Sequence, residues 1–111
     1  MDNGLFMSEQ NNTEEQPIKE EMQIEEYSVV SVLFHSQKQE ILKLLITEEL
    51  TIIEISKKLS NLNPGTVKRH LTDLEKAKLI YLSKEVRNEF GINMKYYRAV
   101  AKQFHVNLSF P

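Results

Sequence analysis

Cysteine is absent from the 111 residues, which excludes disulfides, thiolate zinc sites and a cysteine nucleophile. No stretch approaches the roughly 18 consecutive apolar residues that a membrane span requires. Residues 1–26 also lack an apolar run behind a basic start, so neither a span nor a leader is expected. Glycine and proline number three each, and no Gly-rich phosphate loop, nucleophile elbow or closely spaced carboxylate pair on a defined cleft appears, which argues against an enzyme. These absences predict a soluble, cytoplasmic protein, and the length suits one domain with a single core.

A net charge of -2 conceals an asymmetry. Residues 1–26 hold eight acids against Lys19, a charge of -7, whereas thirteen bases against eight acids from Tyr27 onward leave +5. The second part is where a polyanionic partner is attracted. The first 24 residues are polar, acidic and aperiodic, with too little apolar surface to offset the entropy of ordering them, and they read as a largely disordered tail ahead of a domain over 25–111. Ile18 and Met22, four apart, can carry a first helix back only as far as Pro17 allows.

The domain begins with the apolar run Val29, Val30, Val32, Leu33, Phe34. Ser36 and Gln39 have the spacing of a capping box and predict a helix whose apolar residues Ile41, Leu44 and Leu45 recur through Ile46. After the polar break Thr47-Glu48-Glu49, Thr51 and Glu54 repeat the capping-box spacing ahead of a helix of about two turns. Asn63 is a favoured N-cap and Pro64 suits the first helical position, which predicts a further helix from Pro64 to about Lys78 with Val67, Leu71 and Leu74 buried. The period then shifts to two: Ile80, Leu82 and Val86 alternate with Tyr81, Ser83 and Arg87. Asn88–Asn93 reads as a loop, Met94–Ala99 as a partner strand, and Phe104, Val106, Leu108 and Phe110 as one face of a third strand.

Two short helices joined by a tight turn and followed by a hairpin form the layout of a winged helix-turn-helix, a mostly α fold with a small β component. At 100° per residue, burying Val67, Leu71 and Leu74 turns Gly65, Arg69, Thr72 and Lys76 outward, with Thr66 and Asp73 on one flank and Lys68 nearer the other. Arg69 has the fork to read a guanine edge, Thr66 and Thr72 can bond phosphate or base, and the helix start at Asn63, Gly65 and Thr66 favours a phosphate. In the hairpin, Lys84, Arg87, Lys95 and Arg98 suit backbone phosphates. His35, His70 and His105 are far apart in sequence and lack metal-ligand spacing, so neither a metal nor another cofactor is expected.

The segments LFHSQKQEILKLL, LTIIEISKKL, GTVKRHLTDLEKAKLI and MKYYRAVA together resemble the ArsR-type winged-helix transcriptional regulators over about residues 29–101. The most specific part is the recognition-helix pattern met by Thr66, Val67, His70, Leu71, Leu74, Ala77 and Leu79. The resemblance implies a regulator that binds double-stranded DNA, commonly as a homodimer. Lys78 departs from it, standing where the family usually has Gly. Thr51-Ile52-Ile53-Glu54 replaces the family's Cys-bearing metal-sensing motif, so metal sensing by that route is not implied. Two segments offer apolar surface for a second copy, the 27–34 run and the final strand. The alternative function is a protein-docking module, or the DNA-binding fragment of a larger sensor protein whose sequence continues past Phe110-Pro111.

Overall fold

A computed structural model describes residues 18–107. The element order is β1 (Lys19–Ile24), α1 (Tyr27–Leu33), α2 (Ser36–Thr47), α3 (Ile52–Lys58), α4 (Pro64–Lys76), β2 (Ile80–Arg87), β3 (Asn93–Ala99) and β4 (Ala101–Val106). The helices pack around Ile41, Leu45, Ile55, Val67 and Leu74, all fully buried, with Leu79 and Ala99 closing the core from the hairpin side. β2 and β3 pair antiparallel. A single antiparallel bridge joins Leu50 to Tyr97, with backbone N–H···O distances of 3.1 and 2.9 Å, and so fastens the chain ahead of α3 to the hairpin.

Local chemistry accounts for the helix starts. At α3 the expected capping box is complete: the Glu54 N–H donates to Thr51 Oγ1 at 3.2 Å and the Thr51 N–H donates to Glu54 Oε1 at 2.9 Å. α2 departs from expectation. Its N-cap is His35, with no side-chain cap, and Ser36 is already helical. The Gln39 amide turns instead to the Leu33 carbonyl, an acceptor at the end of α1 that helix geometry leaves unpartnered.

The acidic segment requires a larger correction. The disordered tail expected through residue 24 does not hold for its last residues, because Lys19–Ile24 is a strand in parallel register with β4, Met22 opposite Phe104 and Ile24 opposite Val106. Nor does Ile18 with Met22 extend a helix. Ile24 is buried and Met22 packs on the core, while the acids face outward to partners, Glu20 to Lys102 at 3.1 Å and Glu21 to His105 at 3.2 Å. Burial of alternate residues and a partner strand supply the stabilisation that local composition lacks. β4 is thus a strand as expected, but it belongs to this second two-stranded sheet and not to the hairpin. Residues 1–17 of the expected tail, with Leu108 and Phe110 of the expected final strand, lie outside the described residues.

Candidate nucleic-acid interface

α4 is held at both ends and on its inner face. Asn63 Oδ1 accepts the Thr66 N–H at 2.8 Å, with Pro64 in the first turn. Its far end stops at Lys76, with Ala77 as the cap, two residues before the expected Lys78. Lys78 lies at φ 63°, and its N–H donates to Glu75 O at 2.9 Å while the Leu79 N–H donates to Leu74 O at 3.0 Å, a Schellman closure. That conformation explains why a glycine suits this position in the family pattern. Val67, Leu71 and Leu74 are buried as expected, and His70 joins them at 8% exposure.

His70 also fastens α4 to α2. Its Nε2–H donates to Gln37 Oε1 at 2.8 Å, and its ring lies 4.8 Å from that of His35 between centroids. Burial pushes the His70 imidazole below its ordinary value, and the nearby charges of His35, Lys38 and Arg69 act in the same direction. A second tie runs from Lys38 to Asp73 at 2.9 Å, and the Lys38 ammonium holds the Asp73 carboxyl below the usual range. With these residues engaged inward, Gly65, Lys68, Arg69, Thr72 and Lys76 are exposed and Thr66 is half-buried. Among the described residues no carboxylate lies within ion-pair distance of Lys68, Arg69 or Lys76. The Thr72 hydroxyl donates back to Lys68 O at 3.0 Å, which leaves its lone pairs as acceptors. At the helix start the Thr66 amide and the Asn63 carbonyl oxygen are spent on each other, so Asn63 offers only its amide NH₂ outward.

The four hairpin bases divide into two pairs. Lys84 lies 3.0 Å from Glu49 and 4.7 Å from the centroid of the Tyr96 ring, so its charge is engaged within the fold. Burial raises the Glu49 carboxyl, but hydrogen bonds from Lys84 and Ser83 and the charge of Arg98 outweigh it and hold the group below its ordinary value. Arg98 is half-buried in the same cluster, with its Nε buried and unpartnered. Arg87 and Lys95 are exposed beside the hairpin loop. A Cβ on Gly91, at φ 78°, would sit 3.6 Å from the Arg87 guanidinium, so the loop lies under that side chain. Asn88 Oδ1 accepts the N–H groups of Phe90 and Ile92 at 2.9 and 3.0 Å and shapes the loop.

Sequence pattern alone missed the cluster around Glu49. A register shift between Leu82 and Lys84 turns Ser83 inward, where its hydroxyl donates to Glu49 Oε2 at 2.8 Å, and leaves Leu82 exposed against the expected alternation. Glu49 belongs to the polar break between two expected helices, and no local signal connects it with Lys84 and Arg98.

Residues 35–81 match the family described as bacterial regulatory protein, arsR family. No curated protein matches the chain. Among solved structures, reduced HlyU from Vibrio cholerae superposes with a TM-score of 0.54 at 22% identity, over 65% of this chain and 68% of that one. HlyU from Vibrio vulnificus gives 0.51 at 21% identity, with the same 65% and 68% coverage. The homodimeric winged helix-turn-helix DNA-binding domain Mb0332 from Mycobacterium bovis, a possible ArsR-family transcriptional regulator, gives 0.52 at 23% identity over 68% of this chain and 63% of that one. At such identities the superpositions establish the fold. With that fold and the matched segment, the chain is a winged helix-turn-helix protein whose residues 35–81 are similar to the bacterial regulatory proteins of the arsR family.

Proposed function

We propose that the chain binds duplex DNA sequence-specifically as a homodimer in the cytoplasm, with α4 in the major groove and the β2–β3 hairpin on the backbone. The observation that carries this reading is the outward face of α4, where Lys68, Arg69 and Lys76 have no acidic partner among the described residues, although acids elsewhere in the domain neutralise Lys38, Lys58 and Lys84. Arg69 is assigned to a base edge, Gly65, Thr66, Lys68, Thr72 and Lys76 to the groove walls, and Arg87 and Lys95 to phosphates. Lys84 and Arg98 act through the hairpin they brace, and Asn63 through the helix it caps.

Replacing Arg69 with Ala is expected to relax preference at particular base pairs by about 1–3 kcal/mol, whereas replacing Arg87 weakens all sequences alike and flattens the salt dependence. Selection from a random duplex pool, repeated with each variant, separates the two roles. A uniform loss from both, with the consensus unchanged, would remove Arg69 from base reading. Absence of any salt-dependent binding to duplex would favour the protein-docking alternative.

The two surfaces suited to a second copy converge in the fold. Phe34, 68% exposed at the end of α1, lines one groove with Leu33, Leu42, Ile46, Phe104 and Val106, flanked by Gln39, Lys43, Lys102 and Gln103, so the end of the 27–34 run and β4 share an apolar groove with a polar rim. Mb0332, of the same fold, is described as homodimeric. A two-fold axis through this face gives each protomer one recognition helix and suits DNA with inverted half-sites.

A further inference from the structure

A second cleft, of 650 Å³, opens between the start of α3 and the hairpin. Its apolar surface comes from Ile52 and Ile53 on α3 and from Ile92 and Met94 on the hairpin, with Ile53 53% and Ile92 60% exposed. Lys57 and Lys95 also line it, and among the described residues no carboxylate lies within ion-pair distance of either ammonium. The one acid in the lining, Glu54, accepts the Thr51 amide through Oε1 and forms no ion pair with either lysine, so the three charges of the lining sum to +1. The walls are fixed by bonds described above: the capping box holds α3, the Leu50–Tyr97 bridge fastens its approach to β3, and Asn88 shapes the loop.

Exposed isoleucines on facing walls are poor company for a bare phosphate, while two lysines in the lining without an ion pair among the described residues favour an anionic group over a purely apolar occupant. One class of ligand satisfies both: an organic anion with an apolar body. The volume falls within the roughly 300–1,000 Å³ of small-molecule sites. We infer that this cleft binds an amphipathic organic anion, its apolar body against Ile52, Ile53, Ile92 and Met94 and its acid group on Lys57 and Lys95, and that occupancy weakens DNA binding. The second half rests on the DNA-binding reading above, in which Lys95 meets phosphate. A ligand that engages Lys95 competes for the same charge and bridges the first helix of the helix-turn-helix to the hairpin.

Decanoate below its micellar concentration, titrated into the ¹⁵N-labelled full chain, is the probe. The expected result is a saturable shift of the Ile52, Ile53, Ile92 and Met94 amides, complete by about 1 mM, with 1-decanol binding roughly tenfold more weakly. Ile53→Glu should abolish the shifts. Lys57→Gln should weaken decanoate roughly tenfold and leave decanol unchanged. Saturating decanoate should lower the affinity of the wild-type chain for its selected duplex by roughly fivefold or more, and leave that of Ile53→Glu unchanged. No saturable shift, shifts confined to other residues, or equal binding by Lys57→Gln would overturn the anion site. So would a fall in sedimenting mass on Ile53→Glu, which would make the patch an interface between copies. Unchanged DNA affinity at saturation would overturn the regulatory half. If no duplex binds even without decanoate, the reading of α4 fails, while the amide shifts still decide the cleft.

Discussion

Lys78 carries a conformational cost that its neighbours impose. The Schellman closure of α4 requires a left-handed residue there, and lysine meets the requirement at φ 63° against the steric preference of its Cβ. Lys78→Gly is expected to stabilise the chain by about 1 kcal/mol, the relief of the Cβ clash being partly offset by the greater freedom of glycine in the unfolded chain. Denaturant unfolding reads this as a higher midpoint at unchanged slope. His70 makes a residue-scale prediction about pH. Because burial and neighbouring charge lower its folded value from the ordinary 6.5, the unfolded chain binds the proton first as pH falls. Its contribution is therefore intact above about 6.5 and is lost as pH drops from there through the folded value. Stability measured against pH should decline over that window, and His70→Gln should flatten the decline. An equal slope in the variant would assign it to other groups.

At the scale of elements, the parts legible in the sequence are those whose signals lie within a few residues of one another. The Thr51–Glu54 box, the Asn63-Pro64 start, the buried stripe of α4 and the Gly91 loop depend on nearest neighbours along the chain. The missing parts depend on distant ones. β1 exists because β4 lies beside it, and the six residues Lys19–Ile24 contain three acids or amides facing solvent, which hides their strand character. The Ser83 inversion depends on Glu49, 34 residues away, and the His35–His70 ring contact requires α2 and α4 to be packed. Nested deletions test the revised N-terminal boundary. Removing 1–24 should cost at least about 2 kcal/mol, because it strips the buried Ile24 and its strand from the core. Removing only 1–17 spares that strand and, by discarding four acids (Asp2, Glu9, Glu14, Glu15), should strengthen DNA binding at low salt. Identical isotherms for that shorter deletion and the full chain would assign those acids no part in binding.

For the whole molecule, the apolar face shared by α1, α2 and β4 sets the expected assembly. Sedimentation should give about 26 kDa, twice the 13.0 kDa of one chain, and thermal stability should rise with protein concentration. Phe34→Glu should shift the mass toward 13.0 kDa with little loss of folded structure, since that side chain is exposed in the single chain. A species of 13.0 kDa at high micromolar concentration, together with a single unrepeated DNA motif, would sink the two-fold arrangement.

The pairing of β1 with β4 also orders events during synthesis. Glu20 and Lys102 stand 82 residues apart. At the roughly 5–20 residues per second of a translating ribosome, the first strand waits several seconds for the second to be made. The helices between them are made in that interval, whereas Ala99, which closes their core, is made only two residues ahead of the second strand, and the long loop closed by the ladder slows its formation. The ladder and the closing of the helical core are therefore both tied to the end of synthesis, since neither Ala99 nor β4 is available earlier.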